Sequence, residues 1–598
     1  MCGITAILAK RHKNVLPLLK DSLQQLQNRG YDSFGVSYLS GGSFCSHKKI
    51  GRNQADDFDL FALGFSDKES TNVIGHTRWA THGGITLENT HPHASNQGHF
   101  ILVHNGIIEN YQELKTFLSQ KGFYFVSDTD TEVIVNLMEY YHVQEKRNIL
   151  ESIEHAVKRL EGTYGLAIQT KHTDEIYLVR HGSPLLIGEN DHVWMATSEK
   201  SGFVQQLKEY YVLPNDKVVI LGKQGITEKT LIVNDTEEVN MPSPFLHWTL
   251  KEIMEQHYTL SRAMNHGARI QSSIKLGGID FLEPHVSSLK HILLLGCGTS
   301  YYACEIGAAF MGSRNDCQVK AVDAGEFEEH DIPSGKTLMI FCSQSGETKD
   351  LHRILDMVQG YAHVITLGVI NVVDSQIARE VHGGVYMNAG KEVAVASTKT
   401  FTSSLLLLKM ISLWIKERSP DYISKPHAYE KLRQIPSQVF AFLQTIPLTE
   451  KHLTILNQDH VFVLGKGTLK TMACEMALKL KEIAYIHAEG YSASALKHGP
   501  FALLGPGFPV LLLLDKPHQK KLMSVYKEIE SRGGDIVVIT EVKDLDLPKE
   551  KVIVIPENKE LQEIFYAVVL QLLAYRLSIA RGIHPDKPRN LAKVVTVE

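Results

Sequence analysis

The chain begins Met-Cys-Gly, so removal of the initiator methionine would leave Cys2 at the N-terminus. Such a residue carries a thiol, of reference pKa about 8.5, and an α-amine of pKa about 7.7 to 8.0 that can act as its base. The chemistry this pairing does is acyl transfer from an amide through a thioester. While Met1 is attached, the amine is locked in a peptide bond and cannot serve. Companions of the right type follow in the sequence. HNG at 104–106 offers the Asn105 side-chain amide and the Gly106 N–H, the donor pair an oxyanion requires. Arg78, in GHTRWATHG, has the planar fork that suits a carboxylate, and Asp130, in SDTDTE, suits an ammonium.

The second half of the chain carries a different set. Thr299 and Ser300 follow an apolar run, and Ser343, Gln344, Ser345 and Thr348 crowd the SQSGET turn before a helical pattern. Hydroxyls and unpaired N–H groups at a helix start cradle a phosphate, with the helix dipole favouring the anion. Lys479 lies three residues before Glu482, on one helix face.

These residues need elements to hold them. Before residue 241, strand-like runs (NVIGHTRWATHG, HFILVHNG, GLAIQT) mix with helical patterns (NVLPLLKDSLQQL, DTDTEVIVNLMEYYH), which predicts an α+β domain. HNG is expected between its strand and the helical IIENYQELKTFL. Beyond 241 the chain repeats itself: HILLLGCGTSYYACEIG from His291 overlies HVFVLGKGTLKTMACEMA from His460, and each copy continues with a further apolar run and a helix. This predicts two doubly wound α/β lobes with parallel sheets, ligands lying beyond the carboxyl ends of the strands. The second copy has Leu469 for Ser300 and Asp515-Lys516-Pro517 for the serine loop, so one phosphate site is expected per chain, in the first lobe.

Composition narrows the class. At 598 residues several domains are required, and 62 Lys+Arg against 67 Asp+Glu, without like-charge blocks, favours neither nucleic acid nor an anionic membrane as partner. FTSSLLLLKMISLWI and FALLGPGFPVLLLL fall short of the ~20 apolar residues of a membrane span. Seven cysteines without a CxxC pair fit reduced thiols and a cytoplasmic setting, and the histidines show no HExxH spacing, so no catalytic metal is expected. GCGTSY has Tyr301 where a dinucleotide fingerprint needs its third glycine, and no cofactor is expected.

Cys2, GHTRWATHG, HNG, SDTDTE and NRGYDSFG resemble the class II glutamine amidotransferases, whose N-terminal nucleophile (Ntn, αββα) domain hydrolyses glutamine. The resemblance implies Cys2 as nucleophile, Asn105 and Gly106 as oxyanion donors, and Arg78 and Asp130 gripping the α-carboxylate and α-ammonium. Trp79, Thr81 and His82 become pocket and gate residues. With CGTS, SQSGET, VASTKTF, LKLKEIAYIHAE, LKHGP and PRNLAKVVTVE added, essentially the whole chain is similar to the isomerising amidotransferases that join this domain to two sugar isomerase (SIS) lobes.

That resemblance implies glutamine-dependent synthesis of D-glucosamine 6-phosphate from D-fructose 6-phosphate and L-glutamine, by a homodimer. Lys593 then forms the imine with the open sugar, Glu482 moves the proton between C1 and C2, and His498 assists ring opening from the neighbouring subunit. Lys479 stabilises the enolamine, and Thr299, Ser300, Val395 and Ser397 line the sugar. The implied domains are 1–240 (glutaminase), 241–280 (connection), 281–425 and 450–588 (SIS lobes), and 589–598 (a tail entering the sugar site). Phe34, Ala495 and Val594 depart from the family pattern without removing a chemical group. A sugar-phosphate-binding regulator without synthase activity is the alternative, but it needs an output module and has no use for Cys2 together with Lys593.

Overall fold

The computed structural model describes the chain except residues 1, 12, 28–29, 31, 52–68, 80–82, 205–206, 208, 223–230, 233–241, 313–316, 374, 420–421, 423–425 and 594–598. Thr81, His82 and Val594 lie outside the described residues. Two compact units form, one from residues 1–240 with 592–598 and one from residues 241–591.

In the first unit, strand Gly3–Ala9 runs antiparallel between Val193–Thr197 and Asn72–Arg78 inside an eight-stranded sheet. Side chains alternate across a strand, so Ile4 and Ala6 face a core shared with Val103, Ala167 and Leu178 of a second sheet, whereas Ile7 packs with Leu19 and Leu23 of helix Leu16–Gln25. The second sheet orders Val219–Ile220, Thr173–His181, Gly162–Thr170, Phe100–Ile108 and His93–Ala94, all antiparallel. Helices Tyr111–Gln120, Thr131–Glu139 and Ile149–Val157 cover its outer face. Helix, sheet, sheet, helix is the αββα layering expected of this domain.

HNG departs from expectation, because it lies inside strand Phe100–Ile108 and not in the turn after it. Asn105 pairs with Gly165 and Gly106 with Tyr164. Gly106 has φ 134°, and a Cβ there would stand 1.9 Å from the Thr163 carbonyl oxygen, so only glycine lets the strand continue.

The second unit holds two parallel five-stranded sheets of identical order. One runs Gln318–Asp323, His291–Gly296, Thr337–Ser343, Val364–Ile370, Gly383–Tyr386; the other runs His487–Ser492, His460–Gly465, Pro509–Leu514, Asp535–Thr540, Val552–Val554. Each first strand ends in a turn whose glycine takes positive φ, 53° at Gly298 and 63° at Gly467, before helices Thr299–Met311 and Thr468–Ala484. The repeat in the sequence is thus a repeat in space. Both lobes share one continuous apolar core with the connecting helices Trp248–Met254 and Gln256–Ala263. FTSSLLLLKMISLWI falls in the buried helix Lys399–Glu417. Helix Glu563–Ala580 is long and apolar enough to cross a bilayer, yet 72% of that window is buried in the same core.

Candidate functional site

Cys2 stands half-buried just before strand Gly3–Ala9. Gly3 pairs with Thr77 of the neighbouring strand, and the Gly3 N–H donates to Thr77 Oγ1 at 3.0 Å. This anchor sets Cys2 beside the chain that leaves that strand, where the Trp79 N–H donates to Cys2 Sγ at 3.3 Å. Arg78, one residue earlier, is 3% exposed. Its Nη1 donates to the Gly84 carbonyl at 3.2 Å and its Nη2 to the Gly83 carbonyl at 3.4 Å, which orients the fork. Burial lowers its pKa, against the opposing pull of Cys2, Asp32 and Asp130. A carboxylate arriving here would meet a poorly solvated cation.

Asn105 Nδ2 donates to the Cys2 carbonyl oxygen at 2.7 Å. His76, which the sequence did not single out, fixes that orientation. Its Nε2 lies 2.9 Å from the His104 carbonyl, which can only accept, so Nε2 carries the proton. The same N–H reaches Asn105 Oδ1 at 3.1 Å. Burial first, then the charge of Arg78, lowers the His76 pKa to about 3, so the ring is neutral at physiological pH. Asp130 stands at the N-cap position of helix Thr131–Glu139 without a side-chain capping bond, is 4% exposed, and instead accepts the Ile108 N–H at 2.8 Å through Oδ2.

The second constellation lies within the second unit. Strands His291–Gly296 and Thr337–Ser343 are direct neighbours, so the turns after them, carrying Thr299 and Ser300 and residues 343–348, flank one crevice. In a sheet of this order that crevice is the topological switch point. Gly346 takes φ 67°; its N–H donates to Ser343 Oγ at 2.9 Å and the Glu347 N–H to Ser345 Oγ at 3.1 Å. Ser343 and Thr348 hydroxyls meet at 3.0 Å. These groups gather ahead of helix Lys349–Val358, an anion-binding arrangement. At the equivalent turn of the other lobe, Asp515 accepts the His518 N–H at 3.2 Å, and a carboxylate there repels phosphate.

Helix Thr468–Ala484 brings Lys479 to this crevice. Lys479, 2% exposed, donates through Nζ to Thr299 Oγ1 at 2.8 Å and to Glu482 Oε2 at 2.5 Å, and lies 3.5 Å from Glu475 Oε1. Although burial works against its charge, Glu475 and Glu482 outweigh it and raise its pKa. Glu475, also missed in the sequence, has its pKa raised to about 7 by burial, which its share of Lys479 only partly offsets. Its signal was the Ala-Cys-Glu of the repeat, where Glu305 is the first-lobe counterpart. Gln344, Val395 and Ser397 are half-buried, with the Val395 N–H on the Asp586 carbonyl at 3.1 Å. His498 is exposed in the turn Leu496–His498. Lys593 is half-buried and groups with the first unit.

Two family models match the chain, a glutamine amidotransferase domain at residues 76–205 and an SIS domain twice, at 285–413 and 454–581. A mimivirus protein described as a probable glutamine–fructose-6-phosphate aminotransferase (isomerizing) is 39% identical over 100% of both chains. The chain belongs to the glutamine–fructose-6-phosphate aminotransferase family. Another member, from Thermococcus kodakarensis, is 36% identical over 100% of both chains. The solved C-terminal domain of the family's Francisella tularensis member is similar to 58% of this chain and 99% of its own, at 29% identity and a TM-score of 0.53. Membership in this aminotransferase family accounts for an antiparallel amidotransferase unit and two parallel SIS lobes in one chain.

Proposed function

We propose that this chain makes D-glucosamine 6-phosphate and L-glutamate from D-fructose 6-phosphate and L-glutamine. The full-length relationship at 39% identity carries this reading, because it spans both constellations at once. The freed α-amine of Cys2 takes the thiol proton, and the sulfur attacks the side-chain amide of a glutamine whose α-carboxylate and α-ammonium are held by Arg78 and Asp130. Asn105 and the Gly106 N–H receive the charge that develops on oxygen. The C–N bond breaks, ammonia leaves, and water cleaves the thioester to give glutamate. Trp79, Thr81 and His82 close the pocket.

The SIS constellation then handles the ketose. Ser343, Gln344, Ser345 and Thr348 hold the phosphate, with Thr299, Ser300, Val395 and Ser397 along the sugar. His498, supplied by the partner of a homodimer, opens the ring, and Lys593 forms an imine at the ketose carbon. Imine formation releases water, and ammonia from Cys2 then displaces the Lys593 nitrogen at that carbon, which frees the lysine and gives the product its nitrogen. Glu482 carries the proton from C1 to C2, and the Lys479 cation faces the charge that builds up between.

Borohydride reduction in the presence of fructose 6-phosphate tests the imine. Covalent labelling is expected in the native chain and none in Lys593→Arg; labelling that persists in the variant moves the imine elsewhere.

A further inference from the structure

Three histidines of the amidotransferase unit stand apart from this chemistry. His99 precedes strand Phe100–Ile108, and His172 occupies the turn between Gly162–Thr170 and Thr173–His181. His142 sits in the π-helical turn Tyr140–Gln144 that extends helix Thr131–Glu139. Asn105 lies six residue steps along the strand from His99, about 20 Å at strand rise.

The three rings form a nearly equilateral triangle. Centroids are 5.1 Å apart for His99 and His142, 5.0 Å for His99 and His172, and 5.3 Å for His142 and His172. One ring nitrogen from each lies within 4.8 Å of the other two. Imidazoles bound to one tetrahedral zinc at Zn–N about 2.0 to 2.1 Å hold their centroids about 5 Å apart, so the rings already stand at that spacing.

The hydrogen bonds set the donor atoms. His142 Nδ1 lies 2.9 Å from the Arg147 carbonyl oxygen, which can only accept, so Nδ1 carries the proton and Nε2 keeps its lone pair. A ligating histidine is commonly held by such a bond. His99 Nδ1 and His172 Nε2 are 2.8 Å apart, sharing a proton that a cation would displace. The buried Glu139 accepts the His99 N–H at 3.2 Å and the Gln97 N–H at 2.7 Å, so it fixes the His99 backbone and adds negative charge without being a ligand. The π turn takes His142 out of α-helical register, a feature frequent at functional sites.

We propose that His99, His142 and His172 form a binding site for a divalent transition cation of the zinc class. Three imidazoles and an open fourth position suit zinc, and copper or nickel by the same donor chemistry. Far along the strand from Asn105, the cation would tie a turn, a helix end and a strand start together. Its effect is then on stability and not on turnover.

The test uses the full-length, tag-free chain in a Cys2→Ala background, titrated with Co2+ as a spectroscopic probe and then with Zn2+. Expected are one equivalent of Co2+ with ligand-field bands, no thiolate charge-transfer band, displacement by Zn2+, and a Zn2+-dependent rise in melting temperature. His142→Gln and His172→Gln should each weaken binding at least tenfold; His427→Gln, at an exposed histidine outside the triangle, should not. Because His172 is itself exposed, His172→Gln is expected to melt like its parent without metal. Unchanged affinity in both triangle variants, a thiolate band, or no binding at millimolar Zn2+ would overturn the site.

Discussion

His76 donates from Nε2 to Asn105 Oδ1 at 3.1 Å, and that bond decides which end of the Asn105 amide faces Cys2. With the oxygen taken by His76, the NH2 group is turned to the Cys2 carbonyl at 2.7 Å. The proposed oxyanion donor is thus aligned before glutamine arrives. Asn105→Ala is expected to lower kcat for glutamine hydrolysis by about 10² to 10³, the usual loss for one such donor.

His76→Gln should cause a smaller loss that nearly vanishes in the Asn105→Ala background, since the ring acts through the asparagine. With its pKa at about 3, His76 does not titrate between pH 5 and 9. The pH profile of hydrolysis should therefore keep its midpoint in His76→Gln. A shifted midpoint would make His76 a titrating participant.

Lys479 lies buried against two carboxylates, so removing its charge strands both. Lys479→Met should destabilise the second unit by about 3 to 5 kcal/mol. Adding Glu475→Gln should recover part of that loss. Thermal unfolding of the single and double variants measures both effects.

Glu475 gives a pH dependence with a defined sign. Its folded pKa of about 7 lies above its unfolded value of 4.5, so the folded state binds more protons between them. Its contribution therefore favours folding at low pH and is lost as pH rises from about 4.5 to 7. Glu475→Gln should gain stability relative to the native chain at pH 8 and little at pH 5, by denaturant midpoints. An equal difference at both values would contradict the assignment.

Much of this was legible because the signals were local. Gly298 and Gly467 stand where the backbone takes positive φ, and the repeated Gly-x-Gly-Thr turns announced two equivalent lobes, whereas HNG, expected after its strand, lies inside it. Edge strands Gln318–Asp323 and His487–Ser492 were not legible, because their partly solvated residues lack an apolar run. His76 and Glu475 were missed for another reason. Their roles come from what antiparallel pairing and helix packing bring to them; the repeated Ala-Cys-Glu marks the position of Glu475 but not its burial against Lys479, and nothing adjacent marks His76. An i,i+3 Lys/Glu pair reads as a surface pair until the helix Thr468–Ala484 is seen to bury Lys479 against Thr299.

The phosphate cradle depends on Gly346. A Cβ there would stand 1.9 Å from Ser375 Oγ at a φ of 67°, so Gly346→Ala must shift the loop. KM for fructose 6-phosphate should rise at least tenfold while glutamine hydrolysis in the first unit is retained. Loss of both together would make the substitution a general folding defect.

The most direct test supplies glutamine and fructose 6-phosphate to chain from which Met1 has been removed and measures glucosamine 6-phosphate and glutamate. Equal amounts of both products are expected, with Cys2→Ala abolishing synthesis while fructose 6-phosphate still binds. Synthesis that survives in Cys2→Ala, or a processed native chain that binds the sugar and forms neither product, would contradict the account.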